Sequence, residues 1–124
     1  MRRPATTVSD RPPFDELERG HAVLASDPFK PDADTTRPWV VVNNERHPFD
    51  RDQYVVMALT TRTWYDERVP LTDANYRDRH APLDSSIVPH AVASLAPPLI
   101  DEYVCRIRDE PLDDAVGMLL TYLR

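Results

Sequence analysis

The chain has 124 residues, a net charge of −6 and a pI near 5.1, which suits one domain with a single modest core and leaves too little chain for a second. Its 2 glycines leave no Gly-rich phosphate loop of the kind ATPases and dinucleotide enzymes use, and the lone Cys105 allows neither an intramolecular disulfide nor a Cys-based metal cage. No apolar run approaches the roughly 20 residues of a membrane span, and Met1-Arg2-Arg3-Pro4 leads into polar residues instead of a secretory h-region, so the expected location is the cytoplasm.

Residues 1–13 carry Pro4, Pro12 and Pro13 among Thr, Ser, Arg and Asp, and are expected to be a disordered tail ahead of one domain spanning residues 14–124. Arg19 to Ala25 reads as a first strand, followed by a polar loop broken by Pro28 and Pro31. Trp39 to Asn43 and Tyr54 to Thr60 read as second and third strands. Both are apolar at nearly every position, which predicts central strands buried on both faces. The segment between them, with His47-Pro48-Phe49-Asp50, turns the chain. Val69-Pro70-Leu71 reads as a short fourth strand, and apolar pieces recur at Ser86 to Val88, Ala91 to Leu95 and Tyr103 to Ile107. Cys105, inside the last of these, is expected to be a buried strand residue.

At the C-terminus the period changes. Leu112, Ala115, Val116, Leu119, Leu120 and Leu123 fall at steps of three and four, one apolar face of a helix. Asp109 or Glu110 is the expected cap, Pro111 fits the first turn, and Asp113 and Asp114 complement the positive end of the helix dipole. Several short strands and one terminal helix predict a mainly β fold, a small, strongly curved barrel covered by that helix.

Two polar groups stand out against the apolar strands. If the second and third strands pair antiparallel, Arg37 at the mouth of one and Thr60 at the far end of the other lie at the same edge of the sheet. A guanidinium and a hydroxyl converging there can hold a phosphate. Arg37 beside Asp34 or Glu45 also fits an ordinary surface ion pair, and Thr60 and Thr61 fit strand residues favoured for their β-branching. Alternation sets only one of the two threonines on the side of Arg37.

Gly20-His21-Ala22-Val23-Leu24, Arg37-Pro38 and Thr60-Thr61 follow one another in the order of a known pattern: a Gly-led first strand, an Arg-Pro opening the second and a Thr-Thr closing the third. In this the chain resembles the PemK/MazF family of toxin ribonucleases, over roughly residues 18 to 124. The resemblance implies an SH3-like barrel with helices packed on it. It also implies a metal-independent, sequence-selective endoribonuclease that cuts single-stranded RNA and leaves a 2′,3′-cyclic phosphate. The implied assembly is a homodimer with RNA in a groove across the subunit interface, and the implied partner is a separate antitoxin protein. Arg37 and Thr60 match the family's catalytic Arg and Thr, so Thr61 is expected to face away from Arg37 and to reach the substrate only as a secondary contact.

The segment Asp84-Ser85-Ser86-Ile87-Val88-Pro89 resembles the family's Asp-Ser stretch that lines the substrate groove, which makes Ser85 and His90 further candidate contacts. His90-Ala91 stands where better-known bacterial members carry Asp-Gln, so base specificity does not carry over. Trp64 and Tyr65, in a polar loop beside Thr60, are candidates for base stacking, worth about 1 to 3 kcal/mol per base, whereas Trp39 is expected in the core. The four histidines, His21, His47, His80 and His90, lack metal-ligand spacing, and no cofactor is expected.

Only Lys30 among the 15 basic residues is lysine, and Asp far outnumbers Glu. Such a surface points to a salty cytoplasm. It also weakens the objection that an acidic protein repels RNA, because the Debye length is about 3 Å at 1 M salt. Stacking and close Arg contacts would then hold the substrate more than counterion release. The competing reading is the same barrel as a non-catalytic nucleic-acid or protein binding module.

Overall fold

The computed structural model describes residues 11–27, 35–64, 66–78 and 84–124. Six strands form one antiparallel sheet: β1 (His21–Ser26), β2 (Thr36–Val41), β3 (Tyr54–Thr60), β4 (Val69–Pro70), β5 (Ser86–Leu95) and β6 (Ile100–Arg106), in the spatial order β4-β5-β3-β2-β1-β6. One helix, α1 (Asp109–Leu123), follows. Among the described residues the fold is mainly β with a C-terminal helix, as the sequence predicts. Of the expected tail, residues 1–10 lie outside the described residues, as do Pro28, Pro31, Asp34, Tyr65 and His80.

β2 and β3 sit at the centre of the sheet, with both faces covered. Trp39, Val41, Tyr54, Val56 and Ala58 pack on one side with Val23, Val88 and Tyr103. Val40, Met57 and Leu59 pack on the other with Ile87, Cys105, Ile107, Leu112 and Ala115. Burying each large aliphatic side chain stabilises the fold by about 1.5–3 kcal/mol, so an uninterrupted apolar run is what a two-sided central strand needs. Tyr54 extends the first cluster to the N-terminal segment: its hydroxyl donates to Phe14 O (2.6 Å) and accepts from Leu17 N–H (3.1 Å).

The expected small, curved barrel is present as a curled sheet that is not closed, with β4 and β6 at its edges. β4 is two residues long and pairs only with β5. The chain after it completes the curl: Tyr76 bridges to Ile107, Arg77 N–H donates to Arg106 O and Arg108 N–H to Asn75 O, each at 2.8 Å.

β5 differs from its prediction too. The two apolar pieces are one strand, and Ala58 pairs with Val88 while the adjacent Met57 pairs with Val92, so Pro89, His90 and Ala91 bulge out of the ladder. Proline cannot donate to a ladder, and a bulge is where an interior strand tolerates one.

α1 starts at Asp109, earlier than the expected caps allow: Arg108 is the N-cap residue and makes no side-chain cap bond, so Asp109 and Glu110 act within the first turn and not as caps. Leu112 and Ala115 are buried. Val116 and Leu119 are partly buried against the same core, and only the end of the expected apolar face is left uncovered, with Leu120 40% and Leu123 70% exposed.

Gly20 has a structural reason to be glycine. Its φ is +101°, and an added Cβ would lie 2.4 Å from the Ile107 carbonyl oxygen. The same junction is held by Gly20 N–H to Val41 O and Ile107 N–H to Gly20 O, both 2.8 Å. Gly20→Ala is expected to lower unfolding stability by about 2–4 kcal/mol through backbone strain and the forced separation of β1 from β6. Denaturant unfolding checks this; an unchanged midpoint would contradict it.

Candidate active site

β2 and β3 pair as Trp39 with Ala58, Val40 with Met57 and Val41 with Val56. Continued outward, that register sets Arg37 opposite Thr60 on one face of the sheet. Pro38 has no N–H to offer β3, so the regular ladder stops at Trp39, and the Arg37 side chain takes over the edge. Its Nη2 donates to Leu59 O at 3.0 Å, and its Nη1 lies 3.6 Å from Asp27 Oδ2. Its Cζ lies 5.5 Å from the centroid of the Trp39 ring, within cation–π range. The carboxylate beside Arg37 is thus Asp27, which sequence reading does not single out, and not Glu45, which lies with the β2–β3 turn at the other end of the strands. Antiparallel counting from Gly20 and Arg37 can find Asp27, since it directly follows the strand that pairs with β2.

Thr60 is half-exposed, and its Oγ accepts the Arg62 N–H at 3.1 Å, which leaves its own proton to be donated outward. Arg37, Thr60, Thr61, Arg62, Ser85 and His90, with Asp27, line one groove of about 440 Å³. Thr61 does not turn away as expected: β3 ends at Thr60, so strand alternation no longer governs the next residue, and both threonines line the groove. The β5 bulge brings His90 to the same groove, where the ring is exposed and meets the edge of Tyr122 at a centroid distance of 6.5 Å. Ser85 is buried; its hydroxyl is hydrogen-bonded to Tyr76 and its carbonyl accepts Leu71 N–H at 2.9 Å. Trp64 is 76% exposed but does not line the groove, and Trp39 is buried in the core as expected. Tyr65 lies outside the described residues.

A larger cavity of about 610 Å³ lies at the opposite end of the strands, lined by Arg19, Arg51 and Arg106 among carboxylates. Arg19 pairs with Asp109 (3.3 Å) and Asp113 (2.8 Å), and Arg106 with Glu18 (3.3 Å). Its lining sets five carboxylates against three arginines, whereas the smaller groove sets Asp27 alone against Arg37 and Arg62, so the smaller groove is the better anion site. His47 lies in the β2–β3 turn, away from Arg37, with Nδ1 accepting Phe49 N–H at 2.9 Å. Among the described residues no group of three or more His, Cys, Asp or Glu could hold a metal ion, and no helix is long and apolar enough to cross a membrane.

His21 is the titratable group with a consequence for stability. Burial, then the nearby Arg106, pushes its pKa down to about 4, against the opposing pull of Glu18 and Asp78. Its Nδ1 accepts Glu18 N–H at 2.9 Å, a bond that protonation destroys. In the unfolded chain the imidazole titrates near 6.5, so its contribution is complete above about pH 6.5 and is lost as the pH falls towards 4. Between pH 7.5 and 5 the folded protein should lose roughly 1–2 kcal/mol from this residue. Urea unfolding of wild type and His21→Gln at both pH values isolates that share; identical pH dependence would contradict it.

Comparison with known proteins places this architecture. Three solved structures cover nearly the whole fold. An endoribonuclease from a mycobacterial species shares 18% identity (TM-score 0.64, 86% of this chain and 90% of that one). MazF from Deinococcus radiodurans shares 19% (TM-score 0.64, 86% and 96%). A mycobacterial endoribonuclease in complex with its cognate antitoxin shares 16% (TM-score 0.63, 87% and 95%). No curated protein of similar sequence was found. These identities establish a shared fold. The sequence itself matches, over residues 18–122, the model of the PemK-like, MazF-like toxins of type II toxin–antitoxin systems. That match spans all six strands and nearly all of α1, and the chain therefore belongs to the PemK/MazF toxin family.

Proposed function

We propose that this protein is the toxin of a type II toxin–antitoxin pair, working in the cytoplasm as a metal-independent, sequence-selective endoribonuclease on single-stranded RNA. The observation that carries the reading is the placement of Arg37 and Thr60 opposite one another at the mouth of one groove. The reaction is a transesterification. The 2′-oxygen attacks the adjacent phosphorus and loses its proton to a base; the P–O5′ bond breaks and the 5′-oxygen gains a proton. The products are a 2′,3′-cyclic phosphate and a 5′-hydroxyl.

Arg37 serves the phosphate as a planar, permanently charged donor. Thr60 donates its hydroxyl to the same group as charge builds on the non-bridging oxygens. A guanidinium holds its proton too firmly to act as a base, so proton transfer falls to another group, and the exposed imidazole of His90 has the right chemistry and place for it. Thr61 and Ser85 are polar contacts along the groove, and the exposed Trp64 offers an aromatic face, while Tyr65 is a stacking candidate from its place in the sequence alone. The solved relatives include a MazE–MazF pair and an endoribonuclease bound to its cognate antitoxin. By the same logic this chain would be silenced by an antitoxin, a segment of which lies in the groove, and we propose with it the homodimer that the family resemblance implies.

End-group analysis of RNA cut in EDTA tests the chemistry. The expected fragments carry a 2′,3′-cyclic phosphate on one side of the cut and a kinase-labelled 5′-hydroxyl on the other. A 3′-hydroxyl with a 5′-phosphate, or cutting only with added metal, would overturn the proposal.

A further inference from the structure

β1 and β2 pair as Ala25 with Arg37 and Ser26 with Thr36, and the ladder runs one step further, with Asp27 N–H donating to Thr35 O at 3.3 Å. Asp27 is two residues beyond Ala25 and shares its face, which is also the face of Arg37 directly across. The two charged residues therefore form a diagonal cross-strand pair. Their burial differs sharply: the Asp27 side chain is 5% exposed and that of Arg37 28%. A ligand entering the groove meets the guanidinium first and the carboxylate behind it.

Three contacts then define the guanidinium plane. Asp27 Oδ2 lies 3.6 Å from Nη1, Leu59 O accepts from Nη2 at 3.0 Å, and the Trp39 ring lies 5.5 Å from Cζ. The carbonyl is the one hydrogen-bond acceptor and anchors Nη2, and the carboxylate is the charged neighbour that, acting with it, favours one rotation of the fork. A side chain buried this deeply in a cleft beside a cation is the usual device for fixing a group that must not reorganise during reaction.

We propose that Asp27 is the positioning residue of the site: it turns Arg37 so that the remaining Nη protons face the groove at the height of Thr60. The inference rests on the ribonuclease reading for its consequence in rate, and on the ion pair alone for its consequence in Arg37. Asp27→Asn keeps the shape and removes the charge. It is expected to lower kcat by about 10- to 100-fold through misorientation of Arg37, while KM for RNA stays level or falls, since the arginine's charge is no longer offset. A purely structural role would instead lower the active fraction and leave both constants of the folded enzyme alone.

The test is a double-mutant cycle with a spectroscopic arm. In the Arg37→Ala background, Asp27→Asn should change the residual rate by less than about 2-fold, because a positioning residue has nothing left to position. By ¹⁵N NMR without RNA, the Arg37 Nη protons should give distinct, slowly exchanging signals in the wild type that merge in Asp27→Asn; Asp27→Ser serves equally should the amide variant not fold. Full activity in the folded variant, an equal rate loss in both backgrounds, or unaltered Arg37 signals would each overturn the proposal. Wild-type protein that leaves RNA intact would sink the ribonuclease reading instead, and the Arg37 signals would still decide whether Asp27 holds the guanidinium.

Discussion

Arg37→Ala is expected to slow RNA cleavage by about 10³-fold or more, the largest effect of any single substitution in this protein. One lost donor to a developing oxyanion typically costs about 10² to 10³, and Arg37 supplies two donors and a full charge. The variant also takes the cation away from a carboxylate that is 5% exposed, and removing one partner of a buried charge pair destabilises its surroundings. Unfolding must therefore be measured alongside activity; a rate loss in protein that stays folded belongs to the site. Arg37→Lys separates charge from geometry. An ammonium keeps the charge and loses the fork, so it should recover only a minor part of the rate. Single-turnover cleavage of a defined RNA checks both variants, and near-wild-type rates in Arg37→Ala would remove the residue from the chemistry.

Thr60 ranks second. Its Oγ is fixed by the Arg62 N–H at 3.1 Å, so the hydroxyl proton has a defined direction. Thr60→Val keeps shape and β-branching and removes the donor, and should cost about 10²-fold in kcat. Thr60→Ser keeps the donor and should stay within about 10-fold of wild type, the deficit arising from a looser χ1. Binding of a non-cleavable 2′-deoxy oligonucleotide should weaken far less than kcat falls in Thr60→Val. That split separates catalysis from a pure binding module, in which affinity would be the only property to change.

Much of this arrangement is legible in the order of residues alone. Apolar runs locate β1, β2 and β3, two-sided burial follows from the lack of alternation in β2 and β3, and antiparallel pairing is enough to bring Arg37 and Thr60 to one edge. What stays hidden depends on register. The Asp27–Arg37 pair joins strands across the loop between β1 and β2, and in sequence Asp27 reads as an ordinary loop residue before a proline. The bulge at Pro89–Ala91 breaks the period-2 signal, so one strand reads as two pieces and nothing in the pattern shows why His90 reaches the groove. Thr61 escapes the alternation rule because the strand ends one residue earlier. The apolar period of α1 correctly predicts a helix, but periodicity carries no information on where the sheet beneath it stops, and Leu120 and Leu123 lie beyond that point.

The measurement that tests the central claim most directly is cleavage of a long, weakly structured RNA, without magnesium, in about 0.1 M and about 2–3 M KCl. The higher salt follows from the Asp-rich, Lys-poor surface. Cut sites are mapped for wild type, Arg37→Ala and Thr60→Val. The predicted result is a set of discrete cuts at a recurrent short sequence in the wild type that disappear in Arg37→Ala and fade strongly in Thr60→Val. Intact RNA with folded wild-type protein at both salts, or the same cuts persisting in Arg37→Ala, would contradict the ribonuclease assignment and leave the groove as a binding site without chemistry.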